Sequence, residues 1–279
     1  METIELDLPV VPPIQMRLHE ADELISRVLR RHRLWEAASS WFCLRHVRPG
    51  DHAVDVGANI GYYSLLLSRL AGESGQVDAF EPEPSNLTLL RANLRMNGCA
   101  NVRVHPVALA DIPGRRELYL CRSNRGDHRL GHAPERDRIA VPVTTADLLL
   151  GTQSAKIDLV KIDAQGAEEL VLVGMRRLIE QHRHSLTLLL ELCPLALPSV
   201  GSSCASMLTL LDALGGRYLL FNRWSPDAVQ LRGLDRTEVR RLGEAMIHAG
   251  ADASLNLVVV FSADAACQLH ARLATPASR

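Results

Sequence analysis

Four acidic residues stand at the carboxyl ends of predicted strands, where their side chains could bind a ligand together. The strands and their acids are HAVDV (52–56) with Asp55, QVDAFE (76–81) with Glu81, IDLVKID (157–163) with Asp163, and SLTLLLE (185–191) with Glu191. Ligands of open α/β sheets bind beyond the carboxyl ends of the strands, near the point where the strand order reverses. The pattern therefore predicts one binding cleft that these carboxylates face.

A glycine turn follows the first of these strands, in the stretch AVDVGANIGYYS (53–64). A dinucleotide-binding turn has the pattern G-x-G-x-x-G, but here Asn59 and Tyr62 occupy the second and third glycine positions. A phosphate-binding loop would need a Gly-Lys-Ser/Thr triplet, which does not follow. Asp55 would repel a pyrophosphate, whereas it suits an ammonium group. We therefore expect S-adenosylmethionine, rather than NAD, as the ligand of this turn.

The next two strand ends fit the nucleoside part of such a ligand. Glu81 can accept hydrogen bonds from both ribose hydroxyls, a role for which a carboxylate is suited. The segment HPVAL (105–109) is small and apolar, which suits the flat face of an adenine. Together with the glycine turn, these strand ends indicate a nucleoside-binding site.

Strand-like and helical patterns alternate along most of the chain, which predicts βαβ units and a parallel sheet with helices on both faces. Further strands are predicted at 102–108, 217–222 and 256–262, with an extra strand at 115–121. Helices are predicted at 61–71, 84–97, 166–182, 204–215 and 237–249, after a helical lead-in at 19–46. The polar stretch 122–138 has no apolar period, and we expect it to form a mobile lid over the cleft.

Composition and charge argue against several classes of function. The 279 residues carry 31 basic and 32 acidic side chains, and the resulting net charge of −1 gives no reason to expect a nucleic acid partner. The opening residues METIELDLPV lack the basic region of a signal peptide, and no apolar run is long enough to span a bilayer. Six cysteines without C-x-x-C spacing indicate reduced thiols rather than zinc ligands. We expect a cytoplasmic protein that does not bind membranes.

These motifs resemble those of the FkbM family of S-adenosylmethionine-dependent methyltransferases. The resemblance is carried by VDVGANIGYYS (54–64), AFEPEPSN (79–86), HPVALAD (105–111), SNRGDHRL (123–130) and DLVKIDAQGAEELVLVGM (158–175), with LWE (34–36) in the lead-in. It implies an α/β, Rossmann-like class I methyltransferase fold, with a seven-stranded, mostly parallel sheet whose last strand is antiparallel. It also implies an O-methyltransferase that acts on a hydroxyl of a sugar or natural product. The expected division is an N-terminal arm and helical lead-in (1–48), a methyltransferase domain (49–265) and a C-terminal tail (266–279).

The resemblance also implies cofactor contacts by position. Asp55, Gly57, Asn59 and Gly61 would line the methionine end of the cofactor, Glu81 would bind the ribose, and Asn86 and Ala108 would line the adenosine edge. Tyr62 is expected to contact the cofactor, and Tyr63 is expected to lie in the core. Asp163 would lie at the reacting end. Gln165 departs from the family, which often has an acid at that position.

A hydroxyl acceptor requires a base or a metal, because its proton has to leave as the oxygen attacks. We expect His128 to be the base, since the ordinary histidine pKa of about 6.5 lets it take a proton at neutral pH. Asp163 and Glu191 would position the acceptor, either directly or through a divalent ion such as Mg²⁺. Their strand ends resemble those that supply magnesium ligands in catechol-type O-methyltransferases.

Two other functions stay open from the residues. One is an N-methyltransferase that uses the same cofactor, and the other is a catalytically inactive module that retains the nucleoside pocket. Polar groups that converge at the methyl position favour an enzyme, because an inactive module does not need them. The sequence leaves open which small-molecule or glycan hydroxyl is the acceptor, and whether the protein forms a homo-oligomer.

Overall fold

The computed structural model describes residues 2–20, 22–151, 156–225, 228–249 and 254–275. The strands are β1 (Thr3–Glu5), β2 (Gln15–Arg17), β3 (His52–Val56), β4 (Gln76–Phe80), β5 (Val102–His105), β6 (Ala108–Leu109), β7 (Gly114–Leu120), β8 (Asp137–Thr144), β9 (Leu159–Ile162), β10 (Thr187–Leu192), β11 (Arg217–Trp224), β12 (Val229–Leu234) and β13 (Leu255–Val260).

The helices are α1 (Ile25–His32), α2 (Ala37–His46), α3 (Tyr62–Ala71), α4 (Pro84–Met96), α5 (Ala146–Leu150), α6 (Glu168–Val173), α7 (Arg176–His182), α8 (Cys204–Ala213), α9 (Arg236–Ala249) and α10 (Ala263–Ala274), with a 3₁₀ helix at Leu197–Val200. Within the described ranges, every helix is too short or too polar to cross a bilayer.

The central sheet has eight strands in the order β12-β11-β13-β10-β9-β3-β4-β5. The five strands from β10 to β5 are parallel, and β13 is antiparallel to both of its neighbours. All seven strands predicted for this sheet are present, and the antiparallel direction of the last strand is confirmed. The strand order reverses between β3 and β9, because the chain proceeds outward from β3 to β5 and later returns beside β3. The carboxyl ends of β3 and β9 therefore lie side by side, where the sequence predicts the cleft.

Other parts of the strand pattern differ from the prediction. The edge strand β12 was not predicted, since its alternation of apolar and polar residues covers only four positions before Gly233. The strand predicted at 102–108 breaks at Pro106, which has no N–H to donate. Its second part, β6, joins a separate sheet of order β6-β8-β7, in which β7 corresponds to the extra strand predicted at 115–121. The unpredicted β8 begins at Asp137, inside the stretch predicted as a loop.

The lead-in, predicted as one helical segment at 19–46, consists of the two helices α1 and α2. Between them Arg33 and Glu36 have φ angles of 56° and 39°, in the left-handed region, so that a right-handed helix cannot run through. The turn is held by α3, because the Tyr62 hydroxyl accepts a hydrogen bond from Trp35 N at 3.2 Å and is hydrogen-bonded to Ser40 Oγ at 2.9 Å. This clamp fixes the position of Glu36.

Both ends of the chain share a core with the sheet. Ile4 of β1, Met16 of β2, Phe42 of α2 and Leu269 of α10 belong to one buried cluster, which also contains Leu66 of α3. The stretch 266–279, predicted as a tail, is helical up to residue 274, and its last residues, 276–279, lie outside the described ranges. The predicted division of the chain at 48/49 and 265/266 stays a prediction.

Gly57 determines how closely the ends of β3 and β9 approach each other. Its φ is +80°, and a Cβ atom at this position would lie 2.0 Å from the carbonyl oxygen of Asp163. The N–H groups of Gly57 and Ala58 both donate to the Phe80 carbonyl, at 3.0 and 2.9 Å, which holds the turn against β4. A glycine is therefore needed here for packing as well as for conformation.

We expect Gly57→Ala to lower the free energy of unfolding much more than Gly201→Ala. Gly201 has the same φ of +80° and a left-handed conformation, but no atom lies within 4 Å of the position of its missing Cβ. The control should therefore lose only the cost of a left-handed alanine, about 1–2 kcal/mol, whereas Gly57→Ala adds the steric conflict with β9. Urea denaturation of both variants measures the difference, and equal losses would show that the close approach is not constrained.

Candidate active site

A cavity of about 650 Å³ opens at the carboxyl ends of β3, β4, β9 and β10. It brings together all but one of the residues that the sequence nominates, namely Asp55, Gly57, Asn59, Tyr62, Glu81, Asn86, Ala108, His128, Asp163 and Glu191. The exception is Gly61, which packs against α4: a Cβ there would lie 2.7 Å from Leu90 Cδ1. The predicted strand-end cleft is thus one continuous space, and the individual roles of its residues stay predictions.

Glu81 is a buried hydrogen-bond acceptor in the wall of this cavity. Its Oε2 accepts from Asn59 N and its Oε1 accepts from Glu83 N, each at 2.8 Å. Burial raises the pKa of Glu81 to about 7, against the effect of these two N–H groups. Because each carboxylate oxygen can accept more than one hydrogen bond, both oxygens retain capacity for a ligand hydroxyl.

The 122–138 segment borders the cavity and is tied to its wall through Arg125. The Arg125 carbonyl accepts from Asn59 Nδ2 at 3.1 Å and from Asn86 Nδ2 at 3.4 Å. On the opposite side, Glu23 N donates to the Ser123 carbonyl at 2.9 Å. Asn59 and Asn86, which were predicted to contact the cofactor, therefore also anchor this segment. That the segment moves as a lid stays a prediction.

His128 lines the cavity, and its free ring nitrogen is a donor rather than an acceptor. Its Nδ1 accepts a hydrogen bond from Cys121 N at 3.1 Å, so the neutral ring carries its proton on Nε2. This Nε2 is buried and has no hydrogen-bond partner among the described residues. Burial lowers the pKa of His128 to about 4. The role of base predicted for His128 finds no support in this geometry, since a neutral ring in this tautomer can only donate.

Lys161 is a buried cation that the sequence analysis did not single out. It is 2% exposed, and its Nζ lies 3.1 Å from Asp163 Oδ2 and 4.4 Å from the centroid of the Tyr63 ring. Burial by itself would lower the pKa of Lys161, but the surrounding carboxylates raise it well above its ordinary value. In order of influence, these are Asp163, Glu36, Glu191 and Asp55. The ammonium is therefore charged, and it is the centre of an acidic cluster.

Asp163, Glu191 and Glu36 bring carboxylate oxygens within 4.8 Å of one another, a spacing that could bind a metal ion. Both oxygens of Asp163, however, already accept from donors: Oδ2 from Lys161 Nζ, and Oδ1 from Gln165 Nε2 at 2.7 Å. The Lys161 ammonium also supplies the positive charge that a divalent ion would bring. The residues therefore do not fit the Mg²⁺ site predicted at Asp163 and Glu191.

Three further residues of the cluster were not predicted to be functional. Glu36 belongs to the LWE match, and it reaches the cavity from the lead-in. Tyr63 has the buried ring expected of a core residue, but its hydroxyl donates to Glu36 Oε2 at 2.7 Å. Gln165, which departs from the family pattern, is a donor to Asp163. The one signal in the sequence was Lys161 itself, a charged residue inside an otherwise apolar strand.

We expect Lys161→Met to lower the free energy of unfolding by about 3–5 kcal/mol at pH 8, because it leaves buried carboxylates without a cation. The loss should be smaller at pH 5. Burial raises the pKa values of Asp55, Glu36 and Glu191, so the folded state takes up protons as the pH falls, and stability decreases as the pH rises through those values.

Urea denaturation at the two pH values measures this effect. Lys156→Met is the matched control, because Lys156 is half-exposed beside Asp158 and its pair should contribute less than about 1 kcal/mol. Equal losses in the two variants, or a loss that does not depend on pH, would contradict a charged Lys161 among buried acids.

The chain matches the Methyltransferase FkbM domain family over residues 55–218. A curated relative, the 31-O-demethyl-FK506 methyltransferase FkbM of Streptomyces tacrolimicus, is 32% identical over 165 residues, which cover 47% of this chain and 63% of that protein. A methyltransferase FkbM from Methylobacillus flagellatus KT has a TM-score of 0.45 at 17% identity, covering 76% of this chain and 44% of that chain. A SAM-dependent O-methyltransferase from Thermotoga maritima has a TM-score of 0.43 at 15% identity, covering 81% of this chain and 65% of that chain.

The chain thus spans less than two thirds of the length of each of these three proteins. The family match itself extends over more than half of the chain and contains the glycine turn, Glu81, Asp163 and Glu191. It confirms the resemblance carried by the sequence motifs. The chain belongs to the FkbM family of S-adenosylmethionine-dependent methyltransferases.

Proposed function

We propose that the protein transfers a methyl group from S-adenosylmethionine to a hydroxyl of a sugar or natural-product acceptor. The observation that carries the proposal is the two-sided lining of the cavity. Glu81, with free acceptor capacity, serves a nucleoside, whereas Asp163 and Glu191 present carboxyl groups that can position an acceptor hydroxyl. The name of the Streptomyces tacrolimicus relative specifies an oxygen position, which favours oxygen over nitrogen as the acceptor atom.

The residues fit the cofactor in size and in chemistry. A cavity of about 650 Å³ lies within the usual range for small-molecule sites. Glu81 would accept from the ribose hydroxyls, and the turn with Asp55, Gly57 and Asn59 would hold the methionine end. The adenosine edge would be lined by Asn86 and Ala108, with Tyr62 as a further contact. When bound, S-adenosylmethionine supplies a methyl group on a positively charged sulfur that keeps the electrons of the C–S bond.

The protein's own residues orient the acceptor and exclude water. Asp163 is held by Lys161 and Gln165, so its position is fixed before any ligand enters. The segment around Arg125 covers the cavity, and exclusion of water strengthens every electrostatic interaction inside it. His128 would donate its Nε2 proton to an acceptor oxygen. A divalent ion has no part in the proposal, because the Lys161 ammonium already supplies the positive charge beside Asp163.

An amine is the second candidate acceptor, and one observation favours it. A single ammonium, that of Lys161, is surrounded by four carboxyl groups, those of Asp55, Asp163, Glu36 and Glu191. Acidic groups outnumber the cation, so the cluster attracts further cations. An N-methyltransferase on the same cofactor would use this charge to hold a protonated amine, whose proton then has to be removed before transfer. A catalytically inactive module would bind the cofactor and transfer nothing.

We expect the protein to bind S-adenosylhomocysteine and not NAD, and Glu81→Ala to weaken S-adenosylhomocysteine binding by about 1.5–3 kcal/mol, the range for a hydrogen bond to a charged group. Isothermal titration calorimetry measures both. Glu117→Ala is the control, because Glu117 lies on β7 away from the cavity. Tight binding of NAD without a response to S-adenosylhomocysteine would exclude the proposed cofactor, and an unchanged affinity in Glu81→Ala would remove Glu81 from its site.

With methyl-labelled S-adenosylmethionine, we expect label to pass to hydroxyl compounds and not to amines. The panel should pair each sugar or macrocyclic alcohol with its amino analogue, since the two differ only in the acceptor atom. Asp163→Asn should lower the rate about 100-fold or more, because it disturbs both the Lys161 ion pair and the orientation of the ligands. Transfer to the amines alone would establish the second candidate, and binding of the cofactor without any transfer would indicate the inactive module.

A further inference from the structure

Glu36 and Glu191 come from distant parts of the chain, and their carboxyl groups meet in the cavity. Glu36 immediately precedes α2, and Glu191 lies at the end of β10. Their carboxyl oxygens lie within 4.8 Å of each other. Two ionised carboxylates this close in a desolvated site repel each other, which favours a proton on one of the two groups.

One oxygen of this pair, Glu191 Oε2, has no hydrogen-bond partner among the described residues. The Tyr63 hydroxyl donates to Glu36 Oε2 at 2.7 Å, which occupies that atom. Glu191 is 7% exposed and lines the cavity, and its buried Oε2 accepts no hydrogen bond from the described residues. A buried carboxyl oxygen without a partner is unfavourable unless a ligand donates to it. Because Glu191 lines the cavity, a ligand O–H is a donor that could satisfy this oxygen.

The only ammonium in the cluster is paired with a different carboxylate. Lys161 Nζ lies 3.1 Å from Asp163 Oδ2, and no hydrogen bond from it to Glu36 or Glu191 is present. The titratable groups that face the pair are Lys161 from β9, Asp163 directly after β9, Asp55 from β3, Tyr63 from α3, Cys43 from α2, and Cys193 next to the end of β10. Asp163 opposes a second negative charge on the pair, whereas Lys161 favours it. Burial raises the pKa values of Tyr63, Cys43 and Cys193, so these three groups stay uncharged at neutral pH.

We propose that Glu36 and Glu191 hold one proton between them at neutral pH, and that the ionised carboxyl of the pair takes the proton of the acceptor hydroxyl. The inference rests on the proposed function, and adds to it an acid–base residue from the lead-in. Glu36 lies outside the segment 55–218 that matches the family.

With this pair as the proton acceptor, every bond, electron pair and proton of the methyl transfer is accounted for. The acceptor oxygen forms a bond to the methyl carbon, the C–S bond breaks, and its electrons stay on sulfur. The hydroxyl proton passes to the ionised carboxyl, so the pair then carries two protons. One of them leaves to water before the next turnover, which restores the singly protonated pair.

The electrostatic surroundings agree with a shared proton. Burial raises the pKa of Glu36, and it raises the pKa of Glu191 well above its ordinary value, with Asp163 adding to both shifts. Two neighbouring carboxyls in a desolvated site lose their protons in two separate steps, so one group is ionised over the pH range in which the other still carries its proton.

Other groups at the site are less suited to take the proton. A proton on Asp163 would remove the negative charge that pairs with the buried Lys161 ammonium, and the free nitrogen of His128 already carries hydrogen in the neutral ring. Glu36, by contrast, is held in a left-handed backbone conformation, with a φ of 39°, by the contacts of Trp35 and Ser40 to Tyr62. Strained backbone of this kind concentrates at functional sites, because the surrounding structure has to hold it in place.

Lysine NMR tests the pair without an acceptor, because the chain contains only two lysines, Lys156 and Lys161. Protein labelled with [¹⁵Nζ]lysine should show two side-chain signals, which Lys156→Arg assigns. We expect the Lys161 shift to follow a protonation step between about pH 5 and 9, since its ammonium lies beside the pair. Glu36→Gln and Glu191→Gln should each move this step to lower pH, because the remaining carboxyl no longer faces a second negative charge, and the double variant should lose the step. Glu169→Gln, outside the cavity lining, is the control that should retain it unchanged.

The possible outcomes separate this inference from the proposed function. A step that stays at the same pH in either glutamine variant, or that survives in the double variant, belongs to another acid and overturns the shared proton. A Lys161 signal that does not titrate in the unaltered protein overturns it as well. Binding of S-adenosylhomocysteine by the same samples confirms that each variant is folded. If the unaltered protein does not bind S-adenosylhomocysteine, the result contradicts the proposed cofactor and not the shared proton. With a hydroxyl acceptor from the labelling panel, each glutamine variant should lower kcat about 100-fold or more, and full activity in either variant overturns the base assignment.

Discussion

The ion pair between Lys161 and Asp163 is the interaction on which the site depends. An ammonium removed from water costs several kcal/mol unless carboxylates surround it, and Lys161 is 2% exposed on the central strand β9. The groups around it come from four other elements: Asp55 from β3, Tyr63 from α3, Glu36 from the lead-in and Glu191 from β10. One buried cation thus requires the ends of β3 and β10, the start of α3 and the lead-in to meet at the same point.

Most of the fold could be predicted from the sequence because its strands are short apolar runs separated by helical periods. The differences between the predicted and the observed elements have physical causes. Pro106 lacks the N–H that would continue β5, so the chain leaves the sheet there and later forms a second, smaller one. The lead-in has helical periodicity throughout, but left-handed residues at 33 and 36 interrupt it. Such a break depends on Tyr62, which is far along the chain, and local periodicity carries no trace of it.

The site residues that could be predicted from the sequence are those that lie at the end of a strand. Asp55, Glu81, Asp163 and Glu191 all face the cavity, since parallel strands end at the same edge. Hydrogen-bond partners were not predictable in the same way. The backbone N–H of Cys121 determines the tautomer of His128. The Gln165 amide determines which hydrogen bond the second oxygen of Asp163 accepts. Both follow from loop geometry, so the type of residue suggested a base and a metal ligand that the contacts do not support.

The two sides of the cavity come from different parts of the chain, and Tyr62 joins them. Its ring lines the cavity beside the glycine turn, while its hydroxyl holds the turn that contains Trp35 and Glu36. A displacement of Tyr62 would therefore also move Glu36, and with it the proposed acid–base pair. The family match begins at residue 55, so the cofactor side lies inside it and the lead-in lies outside. Because of this arrangement, a change of sequence in the lead-in can alter the acceptor side of the site without altering the glycine turn or Glu81 on the cofactor side.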